Sequence, residues 1–162
     1  MKKQSRLPAI AVLGLLGLSS AAMAASKPDG SERVGTWKVN VEKSIPFQGE
    51  VQKPYTVVMR QADTVLDFTF KTQRDGKPYE YSWRQESDGQ VHDVAKGIRG
   101  KVELLPNGNH QMTMWYDRDG TVEEQVCNLQ VGGNQLVCFA TFTHRDGSVA
   151  FTKVVMDRVK DE

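Results

Sequence analysis

Tight-turn dipeptides recur along this chain at spacings that leave room for little but short strands: Asp75-Gly76, Asp88-Gly89, Asn107-Gly108, Asp119-Gly120, Gly132-Gly133 and Asp146-Gly147. Glycine, and after it asparagine and aspartate, tolerates the positive φ that two-residue hairpin turns demand. A chain that turns back this often pairs each strand with the next one in sequence. Three of the turns read Arg-Asp-Gly, starting at Arg74, Arg118 and Arg145, but their flanks share little, so turn chemistry recurs and not a repeated unit. Pairing in chain order leaves two exposed edges unless the sheet curls round to meet itself. The expected fold is therefore all-β: an antiparallel up-and-down β-barrel of about 8 to 10 strands with no substantial helix.

The runs between turns carry the matching two-residue period. Trp37, Val39 and Val41 alternate with Thr36, Lys38 and Asn40, as a half-buried strand requires. Further strands are expected over 55–60, 64–72, 79–85, 98–105, 111–117, 122–131, 135–144 and 149–159. The stretch 44–54, with Pro46, Gly49 and Pro54, reads as loop or broken edge, and 92–96 carries no decisive pattern.

Loop length then sets register. A two-residue Asp75-Gly76 loop pairs Phe70 with Tyr81 and Phe68 with Trp83, whereas a shift of one would set the phenylalanines against Glu80 and Ser82. A three-residue Asn107-Gly108-Asn109 loop sets Leu104 against Met112 and Val102 against Met114, so one wall is aromatic and another rich in methionine. A Gly132-Gly133 turn places Leu129 opposite Leu136 and Cys127 opposite Cys138. Directly opposed Cα atoms lie roughly 4.5 to 5.5 Å apart, within disulfide range. Around Asp119-Gly120 two turns stay open, setting Met114 against Gln125 or Glu124, and inside is not distinguished from outside along these later strands.

The first 24 residues form an export signal: Lys2, Lys3 and Arg6, an apolar run from Leu7 to Leu18, and the Ala22-Met23-Ala24 boundary. The run is shorter than the roughly 20 residues a membrane span needs, and no second one follows, so the mature protein is expected without a transmembrane anchor, in the periplasm or outside the cell. Residues 25–33 form a polar leader and 34–162 one barrel domain, a length that buries a core without several disulfides or a metal. Three of the 21 basic residues lie in the signal and all 20 acidic ones after it, leaving a mature net charge of −2. Nucleic acid, which needs a strongly basic face, is not an expected partner. In an oxidising compartment Cys127 and Cys138 are expected to be bridged.

Gly35-Thr36-Trp37 resembles the Gly-x-Trp signature of the first strand of lipocalins and related calycin barrels, and the run from Gly35 to Ser44 is similar to the opening of small exported bacterial lipocalin-like proteins of uncharacterised function. In lipocalins that tryptophan plugs the closed barrel end beneath a late-strand arginine. The resemblance therefore implies Trp37 as the plug and Arg158 as its partner. The chain departs from lipocalins in ending just past its last strand, without room for their following helix, and in lacking Thr-Asp-Tyr, of which Trp115-Tyr116-Asp117 is a loose echo.

Chemistry-bearing patterns are sparse. His92, His110 and His144 have no metal-ligand spacing and are expected at the surface or beside turns. His144, on the face of Phe142, is the residue a haem-holding barrel would use, but a lone histidine does not make such a site, and neither metal nor cofactor is expected. No Gly-x-Ser-x-Gly occurs, and paired cysteines leave no thiol nucleophile, so enzymatic activity is not the favoured reading. Of Glu123 and Glu124, one is expected to face solvent and the other to form a salt bridge at the rim; a lumen carboxyl of raised pKa is the alternative. Phe68, Phe70, Tyr81, Trp83, Met112, Met114 and Tyr116 are the candidate ligand wall, which points to a carrier of a hydrophobic small molecule. A filled barrel whose loops at 44–54 and 86–97 bind a protein partner is the competing reading, and a pocket isomerase or cyclase a third.

Overall fold

Hairpin chemistry and alternation act together in the computed structural model, which describes residues 31–47 and 50–160. The export signal lies outside the described residues. A single turn of 3-10 helix at Ser31–Arg33 precedes ten strands: β1 (Gly35–Val39), β2 (Thr56–Ala62), β3 (Val65–Arg74), β4 (Lys77–Glu86), β5 (Asp88–Ala95), β6 (Ile98–Leu104), β7 (His110–Tyr116), β8 (Thr121–Leu129), β9 (Gln135–Thr143) and β10 (Val149–Arg158). Every strand runs antiparallel to its sequence neighbour except across β4 and β5, and β1 pairs with β10. The sheet thus curls into an up-and-down barrel whose seam falls between β4 and β5.

That seam corrects the expectation that closure removes both edges. No ladder joins β4 to β5. The Asp88-Gly89 pair does not close a hairpin; the Asp88 carboxylate instead accepts the Gln90 N–H at 2.8 Å and meets the His92 ring at 2.9 Å, inside a strand that residues 92–96 left undecided in sequence. Ser87, the one residue between the strands, sends both its N–H and its hydroxyl to the Thr64 carbonyl and so turns the chain toward the β2–β3 corner. Side chains fill the gap. Gln85 is 2% exposed and lies where a Cβ on Gly100 would collide with its amide, with Met114 and Val94 packed alongside. β5 is an edge strand with two breaks in register, which is why its alternation is weak.

Two hairpins follow the register read from loop length. Asp75 and Gly76 both take positive φ, and Phe68 faces Trp83 while Phe70 faces Tyr81. Across the Gly132-Gly133 turn Leu129 faces Leu136, and Cys127 faces Cys138, to which it is disulfide-bonded. The other two differ. The loop after β6 is Pro106-Asn107-Gly108, with Leu105 donating to the Asn109 carbonyl, so Val102 faces Met112 and Leu104 faces His110. A shift of two residues keeps every side chain on its face but moves His110 into the interior. Between β7 and β8 the Gly120 N–H bonds to the Tyr116 carbonyl, and Met114 faces Glu123, neither of the partners expected.

Turns alternate between two ends. One end gathers Ser31–Arg33, the loops after β6 and β8, and Trp37; the other gathers the loops after β7 and β9 and the long connection after β1. Trp37, Leu66, Leu136, Val57 and Val102 are the fully buried apolar anchors of the core, each worth roughly 1.5 to 3 kcal/mol of burial. Among the described residues no helix is long and apolar enough to cross a membrane.

Candidate functional site

The closed end is built around Trp37, which is 0% exposed and donates its indole N–H to the Arg33 carbonyl at 2.8 Å. The Arg158 guanidinium lies 4.2 Å from the centre of its ring. Arg158 also donates to the carbonyls of Gly133 and Val34 and, by a short bond, to that of Glu32, tying the 3-10 turn, β1 and the β8–β9 loop together. Gly35 makes the approach feasible, because a Cβ there would stand 2.8 Å from an Arg158 nitrogen and its φ is +141°. Arg33, placed by sequence in the polar leader, is fully buried and donates to the Asn109 carbonyl at 3.0 Å.

Above this floor lies a cavity of about 150 Å³. Phe68, Phe70, Trp83 and Met112, four of the expected wall residues, line it. The other three take different places. Met114 is buried at the β4–β5 seam beside Gly100, Tyr116 turns its hydroxyl to Glu123, and Tyr81 is 40% exposed, stacked on Phe70 at 4.9 Å. Phe70 also lies 5.0 Å from Trp83, so the aromatic wall is continuous.

The lining also has polar members: His110, expected at the surface or beside a turn, Glu123, for which the lumen is the alternative reading, and Gln125, whose face the sequence leaves open. His110 is 2% exposed and not at the surface, and its Nδ1 has no hydrogen-bond partner. Burial and the neighbouring Arg33 charge push its pKa down to about 3, so the ring is neutral. Glu124 faces solvent, but Glu123 forms no rim salt bridge. It is 9% exposed and accepts a 2.7 Å hydrogen bond from the Tyr116 hydroxyl. Burial raises the Glu123 pKa, and the Tyr116 hydrogen bond works against that rise. Tyr55 is pushed up to about 12, first by burial and then by the charges of Tyr81 and Glu123; Tyr116 is raised likewise, by burial and by Glu123. The Trp83 indole N–H has no partner. A lumen with an unpaired donor, an unpaired acceptor-capable ring and one carboxyl can hold a small guest by several polar contacts.

Tyr55 also borders a second hollow of about 570 Å³, open to solvent and walled by Pro46, Phe47, Val51 and Lys53. The connection after β1 forms it: Ile45 pairs with Lys153, and Phe47 rests edge-on against Phe142 at 5.2 Å, across the mouth of the barrel. Outside the lumen, His92 sits by Asp88, and His144 meets the Thr121 hydroxyl at 3.2 Å. No group of three or more potential metal ligands occurs among the described residues.

No protein-family model matches this chain, and no curated protein matches it. Solved structures are similar in fold. The S-type phycobiliprotein lyase CPES from Guillardia theta is 10% identical with a TM-score of 0.54, over 82% of this chain and 92% of its own. The REP1-NXSQ fatty acid transporter is 15% identical with a TM-score of 0.51, over 82% of this chain and 99% of its own. At such identities the likeness is one of architecture: the chain shares with these structures an all-β, antiparallel, nearly closed barrel fold.

Proposed function

We propose that the protein is an exported binding protein that carries a compact, largely apolar small molecule in its barrel lumen. The carrying observation is the cavity between the aromatic wall and the methionines, whose lining residues Trp83 and His110 have an indole N–H and an Nδ1 without protein partners. Buried polar atoms are almost always satisfied, so these two favour a guest or ordered water over a packed core. At about 150 Å³ the cavity suits one benzene-sized ring, well below the volume of a drug-sized pocket. A longer guest would have to turn Tyr55 aside and continue into the outer hollow that this residue shares. The export signal at 1–24 and the Cys127–Cys138 bridge support action outside the cytoplasm.

The test is native-state uptake of small neutral aromatics, such as 2-phenylethanol, followed by NMR shifts of residues lining the lumen. Trp83→Leu should weaken uptake while costing no more than about 1 to 3 kcal/mol of stability, since apolar volume is largely kept. Failure of any such compound to perturb lumen resonances, with the protein folded, would leave the barrel as a scaffold for a protein partner.

A further inference from the structure

The cavity has one ionic member and no counter-ion. Glu123 faces Met114 on β7 and Phe142 on β9, neither able to compensate a charge, and no lysine or arginine lines the lumen. The groups that surround its carboxyl are phenols. Tyr116 donates to it from the end of β7, and its charge is felt by Tyr55, ahead of β2, and by Tyr81 on β4. Only one of its oxygens is engaged by a hydrogen bond among the described residues. Phe70, beside Trp83, stacks on the Tyr81 ring and lies 6.1 Å from that of Tyr55. A carboxylate that shares one lumen with the rings of Tyr55, Phe70 and Trp83 is an arrangement that attracts an organic cation, through ion pairing together with the negative face of a ring. A carboxylate-bearing guest would add a second uncompensated anion to a low-dielectric space.

We infer that the lumen selects a small ammonium compound with an apolar body of about one ring, its nitrogen held near the mouth by Glu123 with Tyr55 beside it. This rests on the reading of the lumen as a ligand site and names the chemistry of its guest. The opposite end does hold a buried cation, Arg33, whose Nη2 donates to the Asn109 carbonyl and whose Nε and Nη1 have no partner, but it does not line the cavity. His110, also toward that end, stands opposite Cys127, four residues along β8 from Glu123 and so about 13 Å away. An acidic guest would have to draw on that distant guanidinium.

Three probes of one shape separate the outcomes: phenethylammonium, 2-phenylethanol and phenylacetate, titrated against the full mature protein by NMR and calorimetry. At pH 8 phenethylammonium should bind at least about tenfold tighter than the alcohol, and phenylacetate weaker than the alcohol. Glu123→Gln, which keeps an acceptor for Tyr116, should bring the ammonium to the level of the alcohol, the ratio of the two affinities and not either one alone being the readout, with an unchanged NMR fold fingerprint as the control for an intact lumen. In the unmodified protein, lowering pH through the raised pKa of Glu123 should weaken the ammonium and not the alcohol. If the variant does not fold, this pH comparison carries the test. Phenylacetate binding as tightly as phenethylammonium, or an ammonium preference that survives both Glu123→Gln and acidification, would overturn the assignment with the ligand site intact. Absence of binding by all three would overturn the ligand site itself.

Discussion

The buried histidine gives the structure a measurable acid sensitivity. In the folded protein His110 stays neutral down to a pKa of about 3, because burial and the Arg33 charge both oppose its protonation. In the unfolded chain it titrates near the ordinary histidine value of about 6.5. The depressed native pKa means that the unfolded state binds the extra proton first. The contribution of neutral His110 is therefore fully present above about pH 6.5 and lost progressively as pH falls toward 3. At pH 5 the loss is about 2 kcal/mol, that is, about 1.4 kcal/mol for each of the 1.5 pH units below the unfolded pKa. Urea unfolding at pH 7.5 and pH 5 measures it, provided the denaturant slope is unchanged between them. His110→Leu removes the titration and leaves no buried polar atom in its place. The loss of stability on going from pH 7.5 to 5 should thus be about 2 kcal/mol larger for the native sequence than for the variant. Glu123 acts in the opposite sense, since its raised pKa lets the folded state take a proton before the unfolded one and adds stability as pH falls. It is present in both proteins and cancels in the difference. Equal pH dependence in the two proteins would refute the placement of His110 in the interior.

Two further outcomes test the frame of the site. Trp37→Ala should cost roughly 3 to 5 kcal/mol in urea unfolding followed by circular dichroism, since it empties a fully buried site beneath Arg158; a change under 1 kcal/mol would show that the closed end is not packed on this ring. Intact mass should rise by two hydrogens on reduction of the Cys127–Cys138 bridge, and replacing both cysteines by alanine should cost roughly 2 to 3 kcal/mol for a separation of 11 residues. Thiols that titrate without reductant in the native protein would contradict the bridge.

Local chemistry made much of the barrel legible. Where a turn had only one plausible pair of central residues, as at Asp75-Gly76 and Gly132-Gly133, loop length gave register, and with it the aromatic wall and the opposed cysteines. Where proline or a third turn residue offered several closures, as at 106–109 and 117–120, loop length alone could not choose among them, and the error moved His110 and Glu123. The seam was illegible for another reason. Asp88-Gly89 has hairpin composition, but Ser87 spends its hydrogen bonds on Thr64, a tertiary contact that composition does not encode. Glu123 was hidden by its own chemistry. It shares a strand face with Gln125 and Cys127, and two polar residues in succession read as an outer face. The Leu129–Leu136 and Cys127–Cys138 pairs carried the missing signal, since a face fixed as interior at one end of β8 stays interior along it.

The two barrel ends differ in how they are held, and the difference bears on where a guest of the proposed kind would pass. At the closed end Arg158 joins three separate backbone carbonyls, Trp37 and Arg33 add two more bonds, and the disulfide crosses β8 and β9 nearby. Opening it would break these contacts at once, among them the buried Trp37 N–H bond, which would cost about 1 to 3 kcal/mol if left unsatisfied. Across the mouth the connection after β1 is fastened at Ile45 by its ladder with Lys153 and a Thr152 hydroxyl, and at Phe47 by its ring contacts with Phe142 and His144. Beyond Phe47, Val51 and Lys53 are exposed. Segments with few buried contacts open at the lowest free energy. If the lumen takes a guest as proposed, Tyr55, which borders both the cavity and the outer hollow, marks the route in, and a guest passing it would meet Glu123 before the apolar floor.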